Sequence, residues 1–101
     1  VRLDNQIQIG HNAVIGAHTA MAGCVAVAGS ARIGRNCLIG GGAGITGHIE
    51  ITDRVIVQAK SFVTRSITEP GTYGSAVPAR EARAWTRTLA RLNRLGEKTP
   101  R

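Results

Sequence analysis

The most constraining feature of the chain is a six-residue period that runs without a break from residue 3 to residue 63. Every sixth residue in this stretch is a medium-sized or large aliphatic. The eleven positions are Leu3, Ile9, Ile15, Met21, Val27, Ile33, Ile39, Ile45, Ile51, Val57 and Val63. An amphipathic helix would need apolar residues spaced three and four apart, which residues 1–66 do not supply. A fixed hexapeptide period is typical of a solenoid and indicates a parallel β-helix.

Each repeat has the chemistry of a short strand followed by a corner. The residue two before each aliphatic is smaller or β-branched, as at Ala13, Thr19 and Cys37, so two inward positions share one face. The residue after the aliphatic is Gly or Ala from residue 10 to residue 40. Tight bends and close backbone approach at corners favour those two types. We therefore expect triangular coils of three hexads, stacked about 4.8 Å apart.

Charge and periodicity both change after residue 68. We predict an all-β solenoid, a β-helix of hexapeptide repeats, over residues 1–68, an extended linker over 69–78, and a basic C-terminal α-helix and tail over 79–101. From Ala79 to Leu95 the apolar spacing becomes helical, and Gly96 is expected to end the helix. The apolar stripe consists of Ala82, Trp85, Leu89 and Leu92. Residues 79–101 hold seven basic and two acidic residues, a net +5 of the total +7.

The basic helix limits the kinds of molecule that it could bind, but its sequence does not identify one. A lone helix of this length is marginal in water, so its apolar stripe needs a partner such as the same helix of neighbouring chains. Clustered arginines favour an acidic protein, although a solvated face explains them as simply. No nucleic-acid-binding motif accompanies the charge, and aromatic residues make up only 3% of the chain, which argues against stacking platforms for single strands.

Composition also bears on the compartment. No apolar stretch is long enough to span a membrane, and no signal-peptide core is present. Cys24 is predicted at a corner and Cys37 at an inward position, and their spacing resembles neither a disulfide framework nor a metal-binding pair. A reducing cytoplasm is therefore the expected location.

Three histidines are the candidates for chemistry. His11, His18 and His48 all take corner places in their hexads, which point outward. The 37 residues between His11 and His48 equal two coils plus one residue, so both should lie near one edge, about 9–10 Å apart along the axis. A corner imidazole can take a proton from a bound hydroxyl or amine near neutral pH. For His18 we favour a surface imidazole bonded to water.

The order of several motifs resembles the UDP-3-O-acylglucosamine N-acyltransferase family of lipid A biosynthesis. The motifs are Asp4-Asn5-Gln6-Ile7-Gln8-Ile9-Gly10-His11-Asn12, Val27-Ala28-Gly29-Ser30, Ile39-Gly40-Gly41, Gly47-His48-Ile49-Glu50-Ile51 and Thr68-Glu69-Pro70-Gly71-Thr72-Tyr73, followed by a basic helix that carries Trp85. The resemblance implies a trimeric left-handed β-helix with active sites between subunits. It also implies transfer of a 3-hydroxyacyl group from acyl carrier protein to the 2-amino group of the sugar nucleotide, with no cofactor and no metal.

The resemblance assigns the catalytic roles residue by residue. His11 matches the general base that takes a proton from the attacking amine. His48 matches a second active-site histidine, and Asp4 could orient the His11 imidazole. The backbone N–H of Gly29 could serve as an oxyanion donor for the tetrahedral intermediate.

The remaining assignments concern binding. Asn5 and Asn12 flank the histidine motif and are expected to contact substrate. Phe62, at an outward place, matches the position where the family lines or closes its acyl groove, and trimer packing is the alternative role. The expected contacts of the acyl carrier protein are Arg65, Arg80, Arg83 and Arg87. The predicted linker from Tyr73 to Pro78 departs from the family pattern, because it lacks the glycine that many family members have just before the X-Pro dipeptide.

Other functions remain open from sequence alone. A sister sugar O-acyltransferase shares the hexads and the histidine, but it has a longer helical domain. Coenzyme-A-dependent acetyltransferases of this fold often carry loops between coils, which residues 1–66 lack. A zinc hydrolase of this fold needs three convergent histidines, which the spacing of His11, His18 and His48 does not suggest. A β-helix without enzymatic function is the simplest alternative. We expect the 101 residues to be part of a longer polypeptide and to be inactive by themselves.

Overall fold

The computed structural model describes residues 1–75 and 78–98 as a solenoid of very short strands followed by one helix. Ala76 and Val77 of the predicted linker and residues 99–101 of the predicted tail lie outside the described residues. The strands are β1 (Arg2–Leu3), β2 (Gln8–Ile9), β3 (Val14–Ile15), β4 (Ala20–Met21), β5 (Ala26–Val27), β6 (Arg32–Ile33), β7 (Leu38–Ile39), β8 (Gly44–Ile45), β9 (Glu50–Ile51), β10 (Val55–Val57), β11 (Phe62–Val63) and β12 (Gly71–Tyr73). Helix α1 spans Ala82–Lys98.

The strands form three parallel sheets, which make the three sides of the prism. Sheet A has the order β1-β4-β7-β10-β12, sheet B the order β11-β8-β5-β2, and sheet C the order β3-β6-β9. Leu3 pairs with Met21, Gln8 with Ala26 and Ile15 with Ile33, so one coil takes 18 residues, or three hexads. The predicted fold, a parallel β-helix with a C-terminal helix, is confirmed.

The core consists of the aliphatic positions of the repeat, stacked coil upon coil. Met21, Ile39 and Val57 follow one another in sheet A, and all are buried. The inward polar residues have partners. Thr19 Oγ1 donates to the carbonyl of Gly34 at 2.7 Å and accepts from the backbone N–H of Cys37 at 3.1 Å. A buried hydroxyl therefore replaces an aliphatic group in this column without leaving an unsatisfied polar atom.

The corner conformation differs from the expectation that Gly and Ala would supply the bend. Every sixth residue from Gln6 to Lys60 has φ between +55° and +70°, and only Gly42 among these is a glycine. From Cys24 onward, the N–H of such a residue donates to the coil before it, as Ser30 does to the carbonyl of His11 at 2.8 Å. This hydrogen bond, repeated along each edge, offsets the cost of about 1–2 kcal/mol for a left-handed L-residue.

The corner glycines serve the second predicted purpose, close approach of backbone. A Cβ on Gly16 would lie 2.6 Å from the carbonyl carbon of Gly34 in the next coil, and a Cβ on Gly40 would overlap the backbone nitrogen of Ala59. Neighbouring coils therefore touch backbone to backbone at these positions, where a side chain has no room.

The segment predicted as a linker contains strand β12, which continues sheet A. Val57 pairs with Tyr73, and the hydroxyl of Tyr73 donates to the carbonyl of Glu69 at 2.9 Å. Beyond the strand, Ser75 N–H donates to Ser61 Oγ at 3.1 Å, and Ser75 Oγ accepts from Phe62 N–H at 2.9 Å. The chain is thus tied to sheets A and B before it leaves the solenoid.

Helix α1 begins later and ends later than its apolar pattern predicts. The carboxylate of Glu81 accepts the N–H groups of Arg83 at 2.8 Å and Ala84 at 3.3 Å, which caps the first turn at residue 81. The prediction that Gly96 ends the helix is wrong, since α1 continues to Lys98. A glycine costs a helix only about 1 kcal/mol, and this one is in open surroundings.

The helix projects from the solenoid with much of its apolar stripe uncovered. Trp85 is half-buried, whereas Leu89 and Leu92 are exposed. Among the described residues, no helix combines the length and the apolar character needed to cross a membrane.

Candidate functional site

The edge between sheets B and C, here called the BC edge, brings together five of the eleven predicted site residues. It is formed by residues 10–13, 28–31, 46–49 and 64–66 of successive coils. Ser30 N–H donates to the carbonyl of His11 at 2.8 Å, and His48 N–H donates to the carbonyl of Gly29 at 3.2 Å. His11 and His48 are both exposed and stand two coils apart, about 9.6 Å by strand spacing. The shared edge that the 37-residue spacing predicts is present.

Two glycines lie on the edge beside these histidines. Gly29 and Gly47 occupy the same hexad place as His11, one and two coils further on. A Cβ on Gly47 would lie 2.7 Å from the carbonyl oxygen of Gly29, and a Cβ on Gly29 would lie 3.2 Å from the carbonyl oxygen of His11. Between the levels of the two imidazoles the edge therefore carries only Gly29 and the small side chain of Ser30, which leaves space for a bound group there.

Asn12 and Arg65 extend the same edge. Asn12 directly follows His11 and has φ 60°, the left-handed corner conformation. Arg65 takes the hexad place of His11 three coils further on and is exposed. The edge therefore presents an imidazole at each of two levels and a guanidinium at the top.

Asp4 and Asn5 lie on a different edge, between sheets A and B, here called the AB edge. Asn5 accepts a hydrogen bond at its carbonyl from Cys24 N–H at 3.1 Å, and the Asp4 carboxylate accepts from Asn5 N–H at 2.7 Å. Strand β2 separates this edge from His11. The structure therefore does not bring Asp4 and His11 together within one chain, although only seven residues separate them.

Phe62 lies on the outer face of sheet B, which borders the BC edge. It is 64% exposed, and its ring covers Gly44, because a Cβ there would meet ring carbon Cδ1 at 3.3 Å. Ala26 pairs with Gly44 and Gly44 with Phe62 along this face. The result is a shallow strip of small residues that ends at an aromatic ring.

His18 lies on the third edge, between sheets C and A, and so is apart from the other two histidines. Asn36 N–H donates to the carbonyl of Ala17, directly before His18, at 3.0 Å. Within the described part of the chain, no three His, Cys, Asp or Glu side chains are grouped so that they could hold a metal ion.

The three arginines assigned to the helical region are all exposed. Arg80 precedes helix α1, while Arg83 and Arg87 lie one turn apart on it. Sequence reasoning did not connect Arg80 with Lys60 and Ser75, which line one cavity with it. Lys60 is far from Ser75 and Arg80 in the sequence, so only the tertiary structure shows that they line the same cavity.

These features define the class of protein. The chain is a parallel β-helix of hexapeptide repeats, and residues 30–65 match the family described as bacterial transferase hexapeptide (six repeats).

Curated relatives make the resemblance more specific. The chain is 60% identical over 97 residues, 96% of its length, to the UDP-3-O-acylglucosamine N-acyltransferase of Pseudomonas paraeruginosa, and equally to that of Pseudomonas syringae pv. syringae. Identity to the enzyme of the same name from Delftia acidovorans is 54% over 94% of the chain. The chain spans 28% of the length of these relatives. The resemblance inferred from the sequence motifs is thus confirmed.

A solved structure shows a similar fold. The serine acetyltransferase isoform 3 of Entamoeba histolytica, in complex with cysteine, matches with a TM-score of 0.64 and 22% identity. The match covers 88% of this chain and 39% of that one. At this identity the likeness concerns the solenoid alone.

Proposed function

We propose that this chain forms the catalytic solenoid of an N-acyltransferase that moves a 3-hydroxyacyl group from acyl carrier protein to the 2-amino group of UDP-3-O-acylglucosamine, a step of cytoplasmic lipid A biosynthesis. The observation that carries the proposal is the BC edge, where two exposed imidazoles flank a stretch that carries only Gly29 and the small side chain of Ser30. The names of the curated relatives supply the substrate class.

His11 acts as the general base in this proposal. The amine nitrogen attacks the thioester carbonyl carbon as the His11 imidazole takes one of its protons. A tetrahedral intermediate forms, with its oxyanion near the backbone of Gly29 and the ring of His48. When the C–S bond breaks, the imidazolium returns the proton to the leaving sulfur, which yields an amide and a free thiol. No covalent enzyme intermediate is needed.

Asp4 and Asn5 contribute from a neighbouring subunit. Because they lie on the AB edge, they can join the His11 site only if the AB edge of one protomer faces the BC edge of another. The outer face of sheet A supports such packing, since it holds a cavity of about 660 Å³ lined by Ala20, Leu38 and Ile56 among others. A closed homotrimer would repeat this contact three times.

Phe62 limits the length of the acyl chain in this proposal, because the chain would lie along the sheet B strip. Replacing Phe62 by Ala should raise the rate with acyl chains two methylenes longer, relative to the preferred length, by about tenfold, since each buried methylene contributes about 0.8 kcal/mol. The ratio of kcat/KM values for the two chain lengths measures this in the full-length enzyme. Val14→Ala, an exposed aliphatic on sheet C, is the control. An unchanged ratio in Phe62→Ala would assign the ring to subunit packing instead.

The acyl donor provides the test of the whole proposal. Full-length enzyme should use the thioester of acyl carrier protein with a kcat/KM about tenfold or more above that of the coenzyme A thioester, because Arg83 and Arg87 attract an acidic carrier. Initial rates with both donors and the amino-sugar nucleotide measure the difference. Added salt should reduce it. A preference for coenzyme A would instead support the acetyltransferase alternative, and transfer to a hydroxyl would support the sugar O-acyltransferase.

A further inference from the structure

Ser30 differs from the other serines of the chain in the state of its hydroxyl. The hydroxyl oxygens of the others accept backbone N–H groups, at 2.9 Å in Ser66 and Ser75 and at 3.1 Å in Ser61, and so tie neighbouring segments together. Among the described residues, the hydroxyl of Ser30 has no such partner. The solenoid therefore does not use this hydroxyl, which is available to a bound molecule.

Ser30 lies on the BC edge, one coil from each histidine of the candidate site. It takes the hexad place of His48, with φ 63°, and it is half-buried. A coil spacing of about 4.8 Å puts it between the levels of His11 and His48. A carbonyl group that reacts between the two imidazoles would thus lie beside the Ser30 side chain.

The peptide group that joins Gly29 to Ser30 is held from both sides. Ser30 N–H donates to the carbonyl of His11 in the preceding coil at 2.8 Å, and the carbonyl of Gly29 accepts from His48 N–H in the next coil at 3.2 Å. Within the described part of the chain, the N–H of Gly29 has no acceptor. Two donors therefore remain at this level of the edge, the N–H of Gly29 and the O–H of Ser30.

We propose that Ser30 is a catalytic residue, whose hydroxyl donates a hydrogen bond to the oxyanion of the tetrahedral intermediate. An oxyanion is stabilised best by donors that converge on it in a fixed arrangement. The N–H of Gly29 supplies one donor, and the next residue of the same coil supplies the other. Because the peptide group between them is held by both neighbouring coils, the donors need no rearrangement as charge develops on the oxygen. Ser30 keeps its proton and forms no covalent bond. This inference rests on the proposed function, which supplies the thioester.

Replacing Ser30 by Gly removes the hydroxyl without straining the backbone, since Gly42 has φ 70° at the same hexad place. In the full-length enzyme kcat should fall about 10²-fold, the usual loss for one oxyanion donor, while the KM values for donor and acceptor stay as they are. Initial rates over a range of both substrates measure the two effects separately. An unchanged kcat, or a loss that comes from a raised KM, would overturn the proposal.

Asn36→Gly is the matched control, since Asn36 takes the same hexad place, with φ 55°, on the edge between sheets C and A. It should leave kcat as in the unaltered enzyme. An equal loss in both variants would assign the effect to a more flexible corner and would refute the role of the hydroxyl. Mass spectrometry of enzyme quenched in acid during turnover checks the chemistry, because an acyl group attached to Ser30 would make it a nucleophile instead of a donor.

Inhibitor binding gives a second measurement. A phosphonate that replaces the thioester carbonyl carries a charged oxygen where the oxyanion forms, whereas the amide product carries none. Ser30→Gly should weaken binding of the phosphonate by about the same factor as it lowers kcat, and it should leave the affinity for the amide unchanged. Equal losses for the two compounds would contradict a contact with the oxyanion.

The role of Ser30 and the proposed function fail with different results. If the unaltered full-length enzyme transfers the acyl group to the amine and Ser30→Gly does so with the same kcat, only the role of Ser30 is refuted. If the unaltered enzyme transfers none, the proposed function is refuted and the role of Ser30 is refuted with it.

Discussion

Replacing His11 by Ala should lower kcat of the full-length enzyme by about 10²- to 10⁴-fold, the usual contribution of a general base. His11 is exposed on the BC edge and makes no core contact, so the loss should appear in the chemical step and leave thermal unfolding unchanged. Rates at saturating donor and acceptor, with unfolding followed by circular dichroism, measure both quantities. A protein that acts only as a scaffold would lose nothing.

His18→Asn provides the matched comparison. His18 is equally exposed but lies on the edge between sheets C and A, and asparagine already occupies equivalent corner places at Asn12 and Asn36. This substitution should leave kcat as it is. If the His18 and His11 variants lost activity to the same extent, the BC edge would not be the site of the reaction.

Replacing Ile33 by Ala should lower the free energy of unfolding by about 2–5 kcal/mol, the range for removing a large aliphatic from a closed core. Ile33 is 2% exposed and stands between Ile15 and Ile51 in sheet C, so the coils above and below keep the space from collapsing. Chemical denaturation followed by far-ultraviolet circular dichroism measures the change.

Arg32→Ala is the control within the same two-residue strand. Arg32 points outward and pairs across sheet C with Glu50, so its loss should cost only about 0.2–1 kcal/mol. Comparable losses of unfolding free energy in Ile33→Ala and Arg32→Ala would contradict the burial pattern, in which Ile33 points inward and Arg32 points outward.

The sequence predicts the solenoid well because its evidence is local and repeated. Each aliphatic residue marks an inward place, and the absence of insertions keeps all coils in one register from Leu3 to Val63. The corner conformation was harder to predict. Residues as different as Cys24, Arg54 and Lys60 share a positive φ, because a hydrogen bond to the preceding coil, rather than the residue type, stabilises it there.

The helical region was predicted less accurately at its ends. An apolar stripe predicts which face of a helix is buried, but it does not predict the residue at which the helix begins. Here the carboxylate of Glu81 sets the start of α1. A single exposed glycine, Gly96, costs too little to end it. Strand β12 also escaped prediction, because its pairing with β10 is offset by 16 residues and so breaks the 18-residue rule of the other coils.

By itself the sequence determined the period, the three-hexad coil and, through the 37-residue spacing, the common edge of His11 and His48. Only the tertiary structure decided that Asp4 and His11, close in the chain, lie on separate edges, and that Lys60 lines one cavity with Arg80 and Trp85. The physical reason is the range of the forces involved. A repeated interior is specified by neighbours within each hexad, whereas an edge or a cavity is assembled from different coils, in positions set by backbone hydrogen bonds between them.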